Sequence, residues 1–204
     1  MAKITNVDYE AMPSQANQMR TYGQELNKEL TNAYTSIQNM HSVWYGKRYN
    51  ALVKEFNQLV PEINELLELI VGEIPFALET IANNYSQADK GSKVTGAAKT
   101  APKKVVNLAM PGDVGMKFIT SEVTAVKTRV STNFKNAVNK MNVIESAYNK
   151  IQWKSEASEA FRVKFLKLKK NIIQAFNNIE SSFSTLMQQT LDDIQATESA
   201  NTVK

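Results

Sequence analysis

The chain has 204 residues, no cysteine and a formal net charge of +4. Without cysteine, disulfides and thiolate metal sites are excluded. No stretch approaches the ~18 consecutive apolar residues of a membrane-spanning helix. No apolar run follows the first residues, so we expect no secretory signal peptide. Hydrophobic residues make up 43% of the chain, which is ordinary for a globular protein with a buried core.

A short turn, Trp44-Tyr45-Gly46, divides the first part of the chain into two apolar patterns. On both sides, apolar residues recur at alternating steps of four and three residues, from Met12 onwards. An α-helix places such residues on one face, so the pattern predicts two amphipathic helices. Gly46 can adopt the positive φ that a tight reversal needs. Pro61 and Pro75 lie in the second helix, where we expect a kink.

Residues 1–89 are therefore predicted to form a helical hairpin, and a different composition follows. Residues 90–112 contain five lysines and no acidic residue, together with Gly, Ala and Thr. This composition is typical of a basic, flexible linker. A helix of ~37 residues is ~55 Å long, whereas a linker of this length stretches to ~75 Å. The linker can therefore run the full length of a bundle and let a second unit dock antiparallel to the first.

The helix-turn-helix pattern recurs 109 residues later, around Trp153-Lys154-Ser155. One register superposes the apolar residues that follow the two turns, with Leu52 on Phe161, Phe56 on Phe165 and Ile63 on Ile172, which indicates an internal duplication. Ser155 is a good N-cap for the last helix. Residues 113–204 are thus predicted to form a second hairpin. The expected fold is all-α, with two helix-turn-helix hairpins packed as an antiparallel four-helix bundle.

The two predicted hairpins carry opposite charge. Residues 1–89 hold six basic and eleven acidic side chains, whereas residues 113–204 hold thirteen basic and nine acidic ones. Opposite charges favour docking of the two halves on each other and disfavour the pairing of like halves. We therefore expect a monomer that is an internal pseudo-heterodimer.

The first unit resembles the WXG family of small ESAT-like (Esx) proteins, which are substrates of bacterial type VII secretion. The resemblance rests on Trp44-x-Gly46 between two amphipathic helices in a unit of about ninety residues. Tyr85 and Asp89 form a Tyr-x-x-x-Asp that closes the second helix, as in that family. The resemblance implies that this motif belongs to an export signal.

The second unit resembles the same family, with two departures from its pattern. Ser155 follows Trp153 where the family has glycine. Ile194 and Glu198 occupy the positions that correspond to Tyr85 and Asp89 in the first unit. Only one complete export signal is therefore present, which suits a fused heterodimer in which one partner supplies the signal.

The resemblance implies a non-enzymatic secreted substrate, or co-secretion helper, of a type VII system. It would be made in the bacterial cytoplasm and reach the medium or cell surface by a signal-peptide-independent route. In the family, the Tyr-x-x-x-Asp of one hairpin lies near the Trp turn of the other. An FtsK-like ATPase is implied to bind this composite surface, and a co-secreted protein is a further expected partner. The implied recognition residues are Trp44, Gly46, Tyr85, Asp89, Trp153 and Ser155.

Other interpretations of these residues stay open. Trp44 and Trp153 also suit simple packing at a helix bend. His41 is the only histidine, and without a second histidine or a cysteine it makes a poor metal site or catalytic base. We expect no enzyme activity, no cofactor and no metal. The basic stretch of the last helix suits a solvated face or a contact with the acidic half, so nucleic acid is not an expected partner.

Two other functions remain compatible with an amphipathic helical bundle. One alternative is a helical adaptor or chaperone for a larger secreted effector. In that case, the protein would bind the effector through an exposed helix face. The other alternative is a membrane-active helical protein whose amphipathic hairpins bind lipid. For a secretion substrate, contact with the membrane is expected only through the secretion machinery.

Overall fold

The computed structural model describes residues 7–201, apart from the side chain of Lys90. Residues 1–6 and 202–204, at the outer ends of the two predicted hairpins, lie outside the described residues. The helices are α1 (Met12–Met40), α2 (Lys47–Leu67), α3 (Ile74–Lys90), α4 (Thr120–Asn149) and α5 (Glu156–Ala200). A π-helical segment, Glu68–Glu73, joins α2 to α3. Two short strands, β1 (Trp44–Tyr45) and β2 (Lys117–Phe118), pair antiparallel.

The helices pack as the predicted all-α bundle, in which α1 lies against α4 and α2 against α5. Both pairs are antiparallel, because polar contacts join residues of rising number on one helix to residues of falling number on the other. On α5, Lys164 lies within 4 Å of Glu65 on α2. The apolar residues of the helices face inward, and at the centre the ring of Phe134 contacts rings of both halves. Phe134 stacks on Phe56 of the first half at 5.7 Å and on Phe176 at 4.0 Å between ring centroids.

Ion pairs between the halves follow the predicted charge difference. Acidic residues of the first half meet basic residues of the second at Glu25–Lys140 and at Glu65–Lys164. These side chains are partly exposed, so each pair contributes at most ~1 kcal/mol. Their main effect is to favour this docking over the pairing of like halves.

The irregular part of the second helical rod lies just before Pro75. Helix α2 runs through Pro61, whereas the π-helical segment ends immediately before α3, in which Pro75 occupies the first turn. Proline donates no backbone hydrogen bond and crowds the turn before it, so the helix widens there. Helix α1 crosses this segment closely: a Cβ on Gly23 would lie 2.5 Å from Cγ2 of Val71.

Residues 94–111, which we call the strap, lie along the first hairpin without regular secondary structure. Three asparagines on α2, spaced seven residues apart, bind its backbone. The Asn57 amide makes two hydrogen bonds with the backbone of Leu108, at 2.7 and 3.0 Å. The Asn64 amide makes two with the backbone of Val105, both at 2.9 Å. Asn50 donates to the Pro111 carbonyl at 3.1 Å. A seven-residue step on a helix spans ~10.5 Å.

The strap advances three residues for each of these steps, which spans ~10 Å when extended. The two spacings match, so successive asparagines meet successive strap residues in register. The side chains of Val105 and Leu108 are buried between these bonds. At the other end, Asn83 on α3 bonds to Val94 and Thr95. The segment predicted to be a flexible linker therefore spans the bundle while it contacts the first hairpin along its length.

Candidate functional site at the two tryptophan turns

Trp44 is an internal anchor of the first turn. Helix α1 ends at Met40, and the chain turns before it enters β1. The indole is only 1% exposed and stacks on Phe183 of α5, with ring centroids 5.8 Å apart. Phe118 in β2 and Tyr49 on α2 contact it edge-on. Burial and the nearby Asp113 raise the pKa of Tyr49 to about 12.

Gly46 adopts the positive φ predicted for it, with φ 119° and ψ −173° at the N-cap of α2. A side chain would be strained in this conformation. It would also have little room, because a Cβ would lie 3.2 Å from the carbonyl oxygen of Gly115. The glycine of the Trp-x-Gly motif is thus required by the backbone and by its close approach to the segment that leads into β2.

The second turn has a different backbone, in which serine replaces glycine without strain. Ser155 is extended, with φ −153° and ψ 169°, and its Oγ accepts a hydrogen bond from the Ser158 amide at 3.1 Å. It is therefore the N-cap that its position predicts. Trp153 is 5% exposed, contacts Phe161 edge-on, and accepts a bond from the Ser158 hydroxyl at its carbonyl.

Tyr85 and Asp89 lie one turn apart on α3 and have different environments. The Tyr85 side chain is 37% exposed. Asp89 is exposed but has a partner, because the hydroxyl of Tyr9 donates to its carboxylate at 2.5 Å. Helix periodicity alone does not reveal Tyr9, which lies before α1 and eighty residues from Asp89.

Two antiparallel registers show where Tyr85 lies relative to the tryptophan turns. Helix α3 is aligned with α1 by Arg20–Glu79 and Tyr9–Asp89, which puts Tyr85 level with the first turn of α1. Helix α4 is aligned with α1 by Lys140–Glu25, and the chain that follows α4 reaches the same level at Trp153.

Tyr85, Asp89, Trp153 and Ser155 therefore lie at one end of the bundle. Trp44 and Gly46 lie at the other, beside Phe118 and Phe183. Within residues 7–201, no hydrogen bond or ring contact joins Tyr85 to Trp153.

Each turn borders an open cavity. The cavity beside Trp44 measures about 600 Å³ and is lined by both apolar and charged side chains. Its walls include Met116, Leu186 and the ion pair between Arg48 and Asp193. The cavity beside Trp153 measures about 500 Å³ and lies between the end of α4 and the start of α5. Both turns thus combine a buried indole with an accessible recess next to it.

His41 pairs with Asp113 at 2.5 Å near the first turn, and among the described residues no third side chain that could bind a metal ion joins them there. Across residues 7–201, no group of His, Cys, Asp and Glu has the arrangement of a metal site. None of the described helices is both long enough and apolar enough to cross a bilayer.

Residues 4–90 match the family model WXG100, described as proteins of 100 residues with WXG. The match covers the whole first hairpin, including Trp44, Gly46, Tyr85 and Asp89. No curated protein and no solved structure matches the chain. The second hairpin lies outside the matched residues, so its likeness to the first rests on the shared sequence register and the bundle geometry.

Proposed function

We propose that this chain is a non-enzymatic substrate or co-secretion helper of a type VII secretion system, because its first hairpin matches the WXG100 family of helical secreted proteins. The observation that carries the proposal is the family match over a hairpin with both family motifs. Members of the family are secreted substrates and not enzymes, and they work with the secretion machinery and with partner proteins. The chain would accordingly be made in the bacterial cytoplasm and secreted or displayed on the cell surface.

We further propose that the two hairpins are sister units and that the molecule is a monomer. The support is the common register of the two halves and their antiparallel docking. The central stack of Phe56, Phe134 and Phe176 contains rings from both halves. Such an interface makes a second chain unnecessary for burying the apolar stripes. Light scattering should therefore give the mass of one chain.

The proposed export signal combines Tyr85 and Asp89 with the Trp153 turn. What supports this is their position at one end of the bundle, together with the exposure of the Tyr85 ring. An aromatic ring beside a carboxylate suits contact with a partner protein. The expected receptor is the FtsK-like ATPase of the secretion system. Trp44 and Gly46 would act mainly by holding the two halves together.

Export of the full chain from a bacterium with a type VII system tests this signal. Tyr85→Ala and Asp89→Ala should leave the protein folded and cell-associated, whereas wild type appears in the medium. Phe76→Ala is the matched control, because Phe76 is similarly exposed on the same helix, at 40%. Normal export of both signal variants would reject the assignment.

The variant Tyr9→Phe tests whether the secretion machinery binds Asp89 itself or whether export needs the hydrogen bond between Tyr9 and Asp89. This variant removes the hydrogen bond from the Tyr9 hydroxyl but keeps the carboxylate. Export should continue if the secretion machinery binds Asp89 directly. Export that fails equally in Tyr9→Phe and Asp89→Ala would show that the bond, and not recognition of Asp89, is what matters.

A second candidate function is that of an adaptor for a larger secreted effector. The observation that favours it is a row of partly exposed apolar residues on the second hairpin, which includes Leu166 and Ile173. A substrate leaves the cell with its partner, whereas an adaptor stays behind. Comparing the secreted and cell-associated fractions distinguishes the two functions.

A further inference from the structure

The two hairpins differ on the outer face where the strap lies. On the first hairpin, Asn57 and Asn64 face outward and bind the strap. The 109-residue register puts Leu166 and Ile173 at the corresponding positions of α5. Both are partly buried against the core and partly accessible to solvent. An apolar pair therefore replaces the amide pair, at the same seven-residue spacing.

Together with one residue of α4, these residues form a partly exposed apolar surface, which we call the outer seam: Val138, Leu166 and Ile173. The bond from Lys169 on α5 to Asn142 and Glu145 on α4 shows that the two helices are neighbours at this level. Val138 on α4 is partly buried like its two neighbours. The strap bonds described above all lead to the first hairpin. Within residues 7–201, no segment bonds across the outer seam in the same way.

The chemistry of the outer seam selects the conformation of its occupant. An extended segment leaves backbone N–H and C=O groups unpaired, and buried unpaired groups are costly. On the first hairpin, asparagine amides satisfy the strap backbone. Leu166 and Ile173 have no polar atoms to do this. An occupant must therefore satisfy its own backbone groups, as an α-helix does.

The charge around the outer seam selects the charge of the helix that would bind there. Lys135 on α4 and Lys167 and Lys170 on α5 are exposed and have no ion-pair partner in the described part of the chain. Their neighbour Lys169 is already held by Glu145. Free lysines beside an apolar surface favour a partner helix with acidic residues beside its apolar stripe.

The outer seam also continues into the cavity beside Trp153. Residues of the cavity wall, among them Asn149 and Arg162, follow the same sides of α4 and α5. A helix along the seam would thus point its end towards the Trp153 turn. We propose that the outer seam binds an acidic amphipathic helix of a partner protein. Such docking is independent of the proposed export signal.

Binding of a designed peptide tests the proposal on the full chain. The probe is a fluorescent helix with leucines at positions i, i+3 and i+7 and glutamates elsewhere, and a second probe has lysine in place of glutamate. Fluorescence anisotropy should show saturable binding of the acidic probe only. Leu166→Glu with Ile173→Glu should weaken binding by at least about tenfold. Val106→Glu, a 73% exposed residue of the strap, is the matched control.

A charge reversal covers the case in which the seam variants disturb folding. Lys135→Glu with Lys170→Glu leaves the apolar core intact and should exchange the preference, so that the basic probe binds and the acidic one does not. No saturable binding of the acidic probe, or an unchanged preference after the reversal, overturns the proposal. Tighter binding of wild type to phosphatidylglycerol vesicles than to the peptide would assign the lysines to a membrane surface and also overturn it.

Discussion

The indole of Trp44 in the first half stacks on the ring of Phe183 in the second, with centroids 5.8 Å apart and planes inclined by 22°. The residue that marks the first turn is thus also a contact between the two hairpins. Both side chains are almost fully buried. Removal of either ring should therefore loosen the docking of the halves as well as the turn itself.

Trp44→Ala should lower the free energy of unfolding by about 3–5 kcal/mol, because a large buried ring is lost and a cavity remains. Phe183→Ala should have a similar effect. In a double-mutant cycle by chemical denaturation, the pair should show a coupling of about 0.5–1.5 kcal/mol. Strictly additive effects would show that the stacked geometry contributes nothing beyond burial.

The two turns should respond differently to the same kind of substitution. Gly46→Ala forces a Cβ into a left-handed conformation beside Gly115, so it should destabilise the protein by more than about 1 kcal/mol. Ser155→Gly keeps an acceptable N-cap and should cost only a few tenths of a kcal/mol. Thermal unfolding measures both. Equal losses would mean that the positive φ at Gly46 is not a constraint.

Loss of the asparagine amides should release the strap. Asn57→Ala with Asn64→Ala removes two paired contacts and leaves buried backbone groups of Val105 and Leu108 unpaired, at about 1–3 kcal/mol each. Trypsin should then cleave faster after Lys103 and Lys104. The control is Asn177→Ala, an exposed asparagine of α5. Unchanged cleavage would show that other contacts hold the strap.

The close crossing at Gly23 offers a test by compensation. Gly23→Ala puts a methyl group 2.5 Å from Val71 and should destabilise the fold by about 1–3 kcal/mol. Val71→Ala in the same chain should recover part of this loss by making room. Gly96→Ala, where the added carbon has no neighbour within 4 Å, should be nearly neutral. A double variant no better than Gly23→Ala would place the strain elsewhere.

Helix periodicity and turn chemistry were sufficient to predict the main elements. The stripe of apolar residues predicted the long helices, and the positive φ of Gly46 and the cap at Ser155 followed from their residue types. Both are local properties, so a single sequence contains the information. The charge difference between the halves likewise anticipated pairs such as Glu25–Lys140.

Contacts between distant segments could not be predicted in the same way. The seven-residue spacing of Asn50, Asn57 and Asn64 is visible in the sequence, but it equally suits a solvated helix face. Only the path of the strap shows what the amides bind. The pairing of β1 with β2 is similarly hidden, because two-residue strands have no periodicity to detect.

The strap has a consequence for how the halves stay together. A bundle assembled from two separate chains dissociates on dilution, and its members can recombine with other copies. In this molecule, the tether sets the local concentration of one half near the other. A one-to-one ratio of the halves is therefore built into each copy, whether the surroundings are crowded or dilute.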